Sequence, residues 1–467
     1  MLGIVGFGSY VPNYRLPREV IAKEWGTPSV GGEKAVANHD EDSLTVAVNA
    51  ALNCFPDPSP VQLEALFFAS TTPPYREKQT AATLAAVLDT GPTVRTVDVT
   101  DTLRAGTSAL LAAADTLRAG GKRALICAAD CRLGEPDSMQ EQNYGDAGAA
   151  LLLGTDNVLA ELTDSLSLSA ELLATWRTQQ QDYPHQFPGG FEAKFGYNPL
   201  MTAAISGLLK QANLAPAAVT VAALAAPNPR AAATVAKAVG IDPKKQLHDT
   251  FWTTLGDTGA AQPLLLLTAA LERAQPGDVI LLAGYGDGAD ACLFRVTDLI
   301  RDYRTARSLF SQIELKRLLP SYGKYARFRR LIRKESAAAD VSTPVVLYRD
   351  QKTVLPLYGG QCPHCETVQF PPHRTCIECG HRGGLRPIKL ARRGKVFTFT
   401  HDYLFDSPDT PVAHAVVDLD GGGRVYLQIT DCDPDRVEID MPVELTFRKL
   451  HEGFNMHNYF WKARPAA

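Results

Sequence analysis

The sequence lacks three features that mark large classes of protein: long apolar runs, a leader-like start and a strong charge excess. No stretch approaches the roughly eighteen apolar residues of a membrane span, and AAQPLLLLTAALERAQPGD is interrupted by Pro263. The start, MLGIVGFGSYVPNYRLP, has neither the basic beginning nor the longer apolar core of a signal peptide. The formal net charge of −4 gives no argument for nucleic acid or a membrane surface as a partner. We therefore expect a soluble, cytoplasmic protein with no membrane and no nucleic-acid partner.

Cysteine is present, but its distribution does not indicate a secreted disulfide scaffold. Of the nine cysteines, four cluster between positions 362 and 379, and the other five are scattered: Cys54, Cys127, Cys131, Cys292 and Cys432. The chain of 467 residues exceeds the size at which one hydrophobic core stops growing. Two or three domains are therefore expected.

Residues 1–298 alternate short apolar runs with alanine-rich amphipathic stretches. EALFFAST, RALICAAD, GAALLLG and VILLAGYG are typical of buried strands, and SLTVAVNAALNCF and AATLAAVLDT are typical of helices. This alternation predicts an α/β domain whose sheets are covered by helices. AGTSALLAAADTLRAGG has small residues on most faces, which predicts a helix buried between two sheets.

The composition changes at residue 299, where a basic helical connector is predicted over residues 299–352. Residues 301–334 contain eleven Lys or Arg and two acidic residues, with five aromatic residues between them. One interpretation is a solvated connector that packs its aromatic rings on a neighbour. The other is a basic surface for the phosphates of coenzyme A.

The four clustered cysteines predict a structural zinc site in a rubredoxin-like zinc ribbon over residues 353–385. CPHCETVQFPPHRTCIECG has two Cys-x2-Cys pairs, which let the thiolates of Cys362, Cys365, Cys376 and Cys379 converge tetrahedrally on one Zn²⁺. Residues 386–467 then contain about five alternating strands separated by Gly, Asp and Pro turns. That pattern predicts a small β-barrel, an OB-fold.

The C-terminal part resembles a known module. LYGGQCPHCETVQFPPHRTCIECG, GKVFTFT and DCDPDRVEIDMPVELTFRKL are similar to the zinc-ribbon and OB-fold proteins that accompany thiolases and related acyl-CoA enzymes. The resemblance implies a module that is not itself catalytic, that binds the partner enzyme and that helps to hold acyl-CoA.

The first 298 residues resemble the thiolase superfamily, in the branch of 3-hydroxy-3-methylglutaryl-CoA synthase and ketoacyl synthase III. The motifs are GIVGFGSYVPNYRLPREVIAKEWG, DEDSLTVAVNAAL, AGTSALLAAADTLRAGGKRALICAAD, GDAGAALLLG and PGDVILLAGYGDGAD. The resemblance implies two similar βαβαβαββ halves in a five-layer αβαβα sandwich, which is usually dimeric, and an acyl-CoA substrate.

The same resemblance implies that the family's catalytic groups are replaced in this chain. The nucleophilic cysteine position falls on Leu103, the histidine on Ala225 and the glutamate on Thr71, while the asparagine of the ketoacyl synthase pattern becomes Asp257. Leucine and alanine can neither attack a thioester nor move a proton. The usual acyl-enzyme route is therefore not expected here.

Three functions stay open at the level of sequence. The domain is an aldol or retro-aldol C–C enzyme on an acyl-CoA, a silent subunit that binds an active thiolase and passes acyl-CoA to it, or an acyltransferase with Cys131 as a displaced nucleophile. Candidate acid–base groups are Asp257, Tyr285 and His248. The alternatives are a helix cap for Asp257, plain packing for Tyr285 and a structural histidine for His248. Residues 176–201 are expected to cover the pocket.

Overall fold

Two halves with a similar order of strands and helices build the N-terminal domain. The computed structural model describes residues 1–55, 62–187, 190–332, 342–453 and 455–466. In the first half the order is β1 (Gly3–Tyr10), α2 (Ser43–Cys54), β4 (Ala65–Ser70), α3 (Thr80–Leu88), β5 (Arg95–Thr100), α4 (Ala105–Arg118), β6 (Arg123–Asp130) and β7 (Ala147–Gly154). In the second half it is β8 (Ala160–Ser169), α6 (Asn198–Gln211), β11 (Val221–Leu224), α7 (Pro229–Ala238), α8 (Gln262–Arg273), β12 (Val279–Tyr285) and β13 (Gly288–Val296).

Smaller elements lie between these. They are β2 (Tyr14–Pro17), α1 (Arg18–Trp25), β3 (Glu33–Val36), α5 (Met139–Asn143), β9 (Thr175–Trp176) and β10 (His185–Gln186), with a π-helical turn at Glu192–Tyr197 and 3-10 turns at Pro216–Ala218, Gly259–Ala261 and Asp298–Arg301. The described helices include none that is long and apolar enough to cross a membrane.

The helices divide the domain into layers. The strand order is β11-β12-β13-β8-β1-β7-β6-β4-β5, and the halves join where Gly3 and Ile4 of β1 pair with Glu161 and Ala160 of β8. Helices α4 and α8 contact strands of both halves and form the central layer, while α2 and α3 cover one sheet and α6 packs on the other. This arrangement confirms the predicted thiolase-like sandwich.

The second half differs from the first at its third strand position. There, only Leu247 pairs beside β11, in a single bridge to Ala222. The preceding residues turn back on themselves, since Lys245 and Gln246 donate backbone hydrogen bonds to the carbonyl of Asp242. In the second half, one residue therefore pairs with the sheet at the position where the first half has the six-residue strand β5.

The first part of the basic connector packs into the N-terminal domain. Its elements are α9 (Leu309–Glu314), β14 (Arg317–Leu318), α10 (Tyr322–Phe328), α11 (Pro344–Arg349) and α12 (Gln351–Val354), and β14 pairs with β2. Tyr325 and Phe328 are buried, and the Arg329 guanidinium lies 2.8 Å from the Asp146 carboxylate. The aromatic side chains of residues 301–332 are therefore packed, as one interpretation expected, whereas α11 and α12 have no buried residue and Tyr348 is exposed.

The zinc-ribbon segment and the barrel follow the connector. The ribbon sheet contains β15 (Tyr358–Gln361), β16 (Val368–Gln369) and β17 (Arg386–Lys389), and the closed barrel contains β18 (Arg393–Asp402), β19 (Val412–Leu419), β20 (Arg424–Ile429), β21 (Pro442–Gly453) and β22 (Met456–Pro465), with a 3-10 turn at Pro434–Arg436. The five-stranded barrel is confirmed. Strand β17, which follows the predicted boundary at residue 386, pairs with β15 of the ribbon sheet.

The barrel covers the outer face of α2. Asn49 of that helix accepts hydrogen bonds from the Thr446 hydroxyl (3.0 Å) and the Phe447 amide (3.3 Å) of β21, and donates to the Phe447 carbonyl at 3.2 Å. Around these bonds, Val46 and Ala50 belong to the same buried apolar cluster as barrel side chains such as Phe447. One continuous core therefore joins the two domains.

A buried charge cluster lies beside this core. The Arg448 guanidinium, which is fully buried, lies 3.4 Å from Asp40, 2.5 Å from Glu41 and 2.5 Å from Asp431. The Lys462 ammonium lies 2.7 Å from the other oxygen of Asp40. These contacts tie β21 and β22 of the barrel to the segment before α2.

Candidate functional site

A pocket opens where the central helix α4 begins, between the two halves of the N-terminal domain. Its volume is about 140 Å³. The lining residues come from the first half, from the second half and from residues 172–192: Thr71, Thr72, Asp101, Thr102, Leu103, Arg132, Leu133, Leu172, Ala174, Thr175, Trp176, Arg177, Pro184, Glu192, Tyr285, Gly286 and Asp287. The segment expected to cover the pocket therefore contributes several of its walls.

Leu103 lies in the turn that leads into α4. The helix begins at Ala105, and the Arg104 guanidinium lies 3.1 Å from the buried Asp290 carboxylate, which also accepts hydrogen bonds from Thr107 and Ser108. These bonds hold the first turn of the helix against β13 of the second half. The side chain at position 103 is thereby placed in the pocket.

Gly286 allows the end of β12 to approach this turn. A Cβ atom at Gly286 would lie 2.8 Å from the Arg104 nitrogen and 2.9 Å from the Leu103 nitrogen, and the residue has a φ of +154°. Because both contacts are with backbone atoms, no side-chain movement can relieve them. The close approach brings Tyr285 and Leu103 into one pocket.

We expect Gly286→Ala to destabilise the protein by about 1–3 kcal/mol, because the added methyl group would displace backbone at the start of α4. Urea unfolding would measure the change. Gly277→Ala is the matched control, since Gly277 also has a positive φ (+89°) but nothing within 4 Å of an added Cβ. Equal losses in the two variants would contradict the close-approach argument.

Thr71 is held by a buried carboxylate. Asp130, at the end of β6, accepts hydrogen bonds from the Thr71 amide (2.7 Å), the Thr71 hydroxyl (2.9 Å) and the Ala260 amide (2.7 Å) of the second half. The position where the resemblance implies a glutamate is therefore occupied by a hydroxyl whose orientation is determined by Asp130.

Asp257 lies behind the pocket and is paired with Arg132. One carboxylate oxygen of Asp257 lies 3.1 Å from the Arg132 guanidinium, and the other accepts a hydrogen bond from the Gly259 amide at 2.9 Å. The guanidinium also stacks over the Tyr144 ring at 3.8 Å. Burial acts to lower the pKa of Arg132, but its acidic neighbours, Asp257 among them, raise it overall. The hydrogen bond from the Gly259 amide to Asp257 is local, as expected for a helix cap. The ion pair with Asp257 holds the charged Arg132 guanidinium at the pocket.

Glu192 is a pocket residue that the sequence interpretation missed. It begins the π-helical turn before α6, which is held in place where the Tyr197 hydroxyl donates to the Ala225 carbonyl at 3.0 Å. Burial raises the pKa of the Glu192 carboxyl, the charge of Asp257 raises it further, and Arg132 partly offsets both. The available signal was a single acidic residue within the aromatic stretch GGFEAKFGY.

Tyr285 contacts the same turn. A Cβ atom at Gly196 would lie 2.2 Å from the Tyr285 hydroxyl, and the Tyr197 and Tyr285 rings meet edge to face at 5.4 Å. Burial and then the charge of Glu192 raise the pKa of Tyr285. The phenol therefore stays protonated at neutral pH and can donate a hydrogen bond.

Three other sequence candidates do not line this pocket. Ala225 is buried, and His248 lies with Nδ1 at 2.7 Å from the Asp249 carbonyl and its ring near Phe251. Cys131 lines a neighbouring groove, where burial and then the charge of Asp146 raise the pKa of its thiol well above the ordinary value. A protonated thiol is a poor nucleophile.

The four clustered cysteines converge as their spacing predicts. All four sulfur atoms lie within 4.8 Å of one another, with 3.7 Å between Cys362 and Cys379 and 3.5 Å between Cys365 and Cys376. A tetrahedron with Zn–S bonds of about 2.3 Å has edges of about 3.8 Å. The donor set and its dimensions therefore fit Zn²⁺.

The chain is similar in sequence to curated proteins that share one name. The chain is 33% identical over 344 residues to the hydroxymethylglutaryl-CoA synthase of Methanopyrus kandleri, which covers 71% of this chain and 98% of that protein. It is 31% identical over 337 residues to the enzyme of the same name from Pyrococcus furiosus, covering 70% and 96%. The chain belongs to the hydroxymethylglutaryl-CoA synthase family.

Two protein-family models match separate parts of the chain. Residues 209–296 match 3-oxoacyl-[acyl-carrier-protein] synthase III, C terminal, and residues 388–448 match the C-terminal OB-fold domain of ChsH2. The resemblance inferred from sequence is confirmed for the synthase-like domain and for the OB-fold.

Solved structures show the same fold in other members of the synthase group. An HMG-CoA synthase complexed with CoA aligns with a TM-score of 0.61 and 20% identity, covering 73% of this chain and 92% of that one. The 3-oxoacyl-[acyl-carrier-protein] synthase III of Aquifex aeolicus aligns with a TM-score of 0.56 and 21% identity, covering 63% and 100%.

Proposed function

We propose that this chain makes or breaks a carbon–carbon bond in a (hydroxy)acyl-CoA by aldol or retro-aldol chemistry, without a covalent acyl-enzyme. The observation that carries the proposal is the composition of the pocket at the start of α4. Its described lining contains no cysteine, and Leu103 lies in the turn that leads into the helix. The same pocket contains a buried cation, a protonated phenol and the carboxylates of Asp101, Glu192 and Asp287, which are the kinds of group that proton transfer and enolate stabilisation need.

In the retro-aldol direction, a base removes the proton of the β-hydroxyl group. The oxygen then forms a carbonyl with Cβ, the Cα–Cβ bond breaks, and its electron pair forms an enolate on the thioester. Arg132 and Tyr285 would donate hydrogen bonds to the enolate oxygen, and Asp257 would hold Arg132 in place. A proton returned to Cα completes a new acyl-CoA, so atoms and electrons balance without a cofactor.

Coenzyme A as the acyl carrier is supported by the family. Related proteins are named hydroxymethylglutaryl-CoA synthases, and one solved synthase of this fold is a complex with CoA. The ribbon would hold one structural Zn²⁺ through Cys362, Cys365, Cys376 and Cys379, and with four protein ligands it would take no part in the reaction.

A homodimer is part of the same proposal. Strand β5 forms one edge of the nine-stranded sheet, and its side chains are half-buried or exposed. An edge strand of this kind offers unpaired backbone groups to a second chain. If the domain is catalytically silent, the alternative partner at the β5 edge is an intact thiolase subunit.

The first test is intact-protein mass spectrometry after incubation with acetyl-CoA and acetoacetyl-CoA. We expect no acyl adduct on the native chain, because the pocket offers no thiol and Cys131 is protonated. Leu103→Cys provides the positive control, since a thiol at the start of α4 would be activated by the helix N-terminus and acylated. An adduct on the native chain that disappears in Cys131→Ser would overturn the proposal in favour of a displaced nucleophile.

The second test separates an enzyme from a silent subunit. A β-hydroxyacyl-CoA such as 3-hydroxy-3-methylglutaryl-CoA is incubated with the chain alone, and the acyl-CoA product is measured by chromatography. Cleavage by the chain alone supports the proposal. Turnover that begins only when a thiolase is added would support the alternative, a subunit that passes acyl-CoA to a partner.

A further inference from the structure

We infer that Glu192 is the acid–base residue of the pocket, and that Asp257 is a positioning residue which adjusts Glu192 through Arg132. This inference rests on the proposed aldol chemistry and assigns its proton transfers to one side chain. The starting point is the presence of two carboxylates, those of Asp257 and Glu192, near the Arg132 guanidinium. Asp257 is bonded to that guanidinium at 3.1 Å, whereas Glu192 faces the pocket.

The two carboxylates differ in their hydrogen bonds. Asp257 uses one oxygen for Arg132 and the other for the Gly259 amide. Within the described part of the chain, the Glu192 carboxylate makes no hydrogen bond, although it is half-buried. A carboxylate that is already bonded on both oxygens is poorly placed to accept a substrate proton, whereas an unbonded one in the pocket is well placed.

The surroundings of Glu192 suit a group that both accepts and returns a proton. Two carboxylates near one cation cannot both be fully stabilised, so the less well bonded group holds its proton more tightly. The Tyr285 hydroxyl lies against Gly196 of the same π-helical turn, which brings a hydrogen-bond donor close to Glu192. Single π-helical turns next to α-helices are frequent at functional sites.

Glu192 can then carry out both proton transfers of the reaction. Ionised Glu192 accepts the β-hydroxyl proton as the Cα–Cβ bond breaks, and protonated Glu192 returns that proton to Cα of the enolate. The same carboxylate must therefore also remove an α-proton from a simple acyl-CoA in the reverse direction. The removal of an α-proton can therefore be measured without knowing which carbonyl compound the retro-aldol reaction releases.

The experiment uses propionyl-CoA in deuterated water and follows deuterium entering Cα by mass spectrometry. We expect the native chain to catalyse exchange and Glu192→Gln to slow it by about 10²- to 10⁴-fold, the usual size of a general acid–base effect. Glu171→Gln is the matched control, because Glu171 is an exposed glutamate outside the pocket. Glu192→Asp should recover part of the exchange.

A pH profile separates catalysis from a structural effect. Exchange should rise with pH as Glu192 ionises, and Glu192→Gln should lose that rise. Asp257→Asn removes a negative charge near Glu192, so the rise should move to lower pH while remaining present. Exchange that persists unchanged in Glu192→Gln would overturn the Glu192 assignment and leave the aldol proposal standing. No exchange by the native chain would overturn both.

Discussion

Replacing Arg448 with alanine is expected to destabilise the protein by about 3–5 kcal/mol. Arg448 is fully buried between Asp40, Glu41 and Asp431, and removing it leaves three carboxylates away from water with a reduced positive charge. Deleting one partner of a buried ion pair costs this much because the remaining charge is uncompensated. Because Arg448 belongs to the barrel and Asp40 and Glu41 to the N-terminal domain, the loss should appear as uncoupled unfolding of the two.

Urea unfolding followed by tryptophan fluorescence checks this expectation, since Trp461 is buried in the barrel. Arg424→Ala is the matched control. Arg424 forms an ion pair with Asp418 on the same barrel, but 51% and 47% of the two side chains are exposed, so its loss should cost no more than about 1 kcal/mol. Similar midpoints for the two variants would show that the buried cluster does not hold the domains together.

Replacing Cys376 with serine is expected to abolish zinc binding and unfold the ribbon. The native protein should contain one Zn²⁺ per chain, measured by inductively coupled plasma mass spectrometry. A structural site of four thiolates supplies about 10–16 kcal/mol in small zinc-binding peptides, far more than a short ribbon gains from its own apolar core. The variant should therefore lose the metal and become sensitive to proteolysis between β15 and β17.

Cys432→Ser serves as the control for the zinc experiment, because Cys432 is a half-buried cysteine outside the cluster. It should retain one Zn²⁺ and the native resistance to protease. A native protein without zinc, or full zinc retention in Cys376→Ser, would contradict the assignment of the site.

Features that depend on short-range patterns could be predicted from the sequence. The paired Cys-x2-Cys turns bring their own sulfur atoms together, so spacing alone was sufficient. Alternating apolar residues likewise predicted the closed barrel, and the small residues of α4 predicted a helix between two sheets. The pairing of the short strand β17 with β15, twenty-five residues or more before it, could not be predicted, because the composition of β17 does not reveal its partner.

The candidate site depends on contacts between distant parts of the chain, and these were only partly predictable. Thr71, Leu103 and Tyr285, which the resemblance singled out, line one pocket, whereas Ala225 and Asp257 do not line it. The resemblance could not show that Arg132 pairs with Asp257, which is 125 residues away, or that Glu192 enters the pocket from a π-helical turn. His248, a third candidate after Asp257 and Tyr285, does not line the pocket.

The cover that the barrel provides for α2 has a consequence for the order of synthesis. Asn49 and the Thr446 hydroxyl to which it bonds are 397 residues apart. At 5–20 residues per second, the ribosome would take roughly 20–80 s to make the chain between them. During that interval the outer face of α2 has no native partner, although the rest of the N-terminal domain can already form. The nascent chain should therefore depend on chaperones until β21 emerges, and chains truncated before the barrel should aggregate through α2.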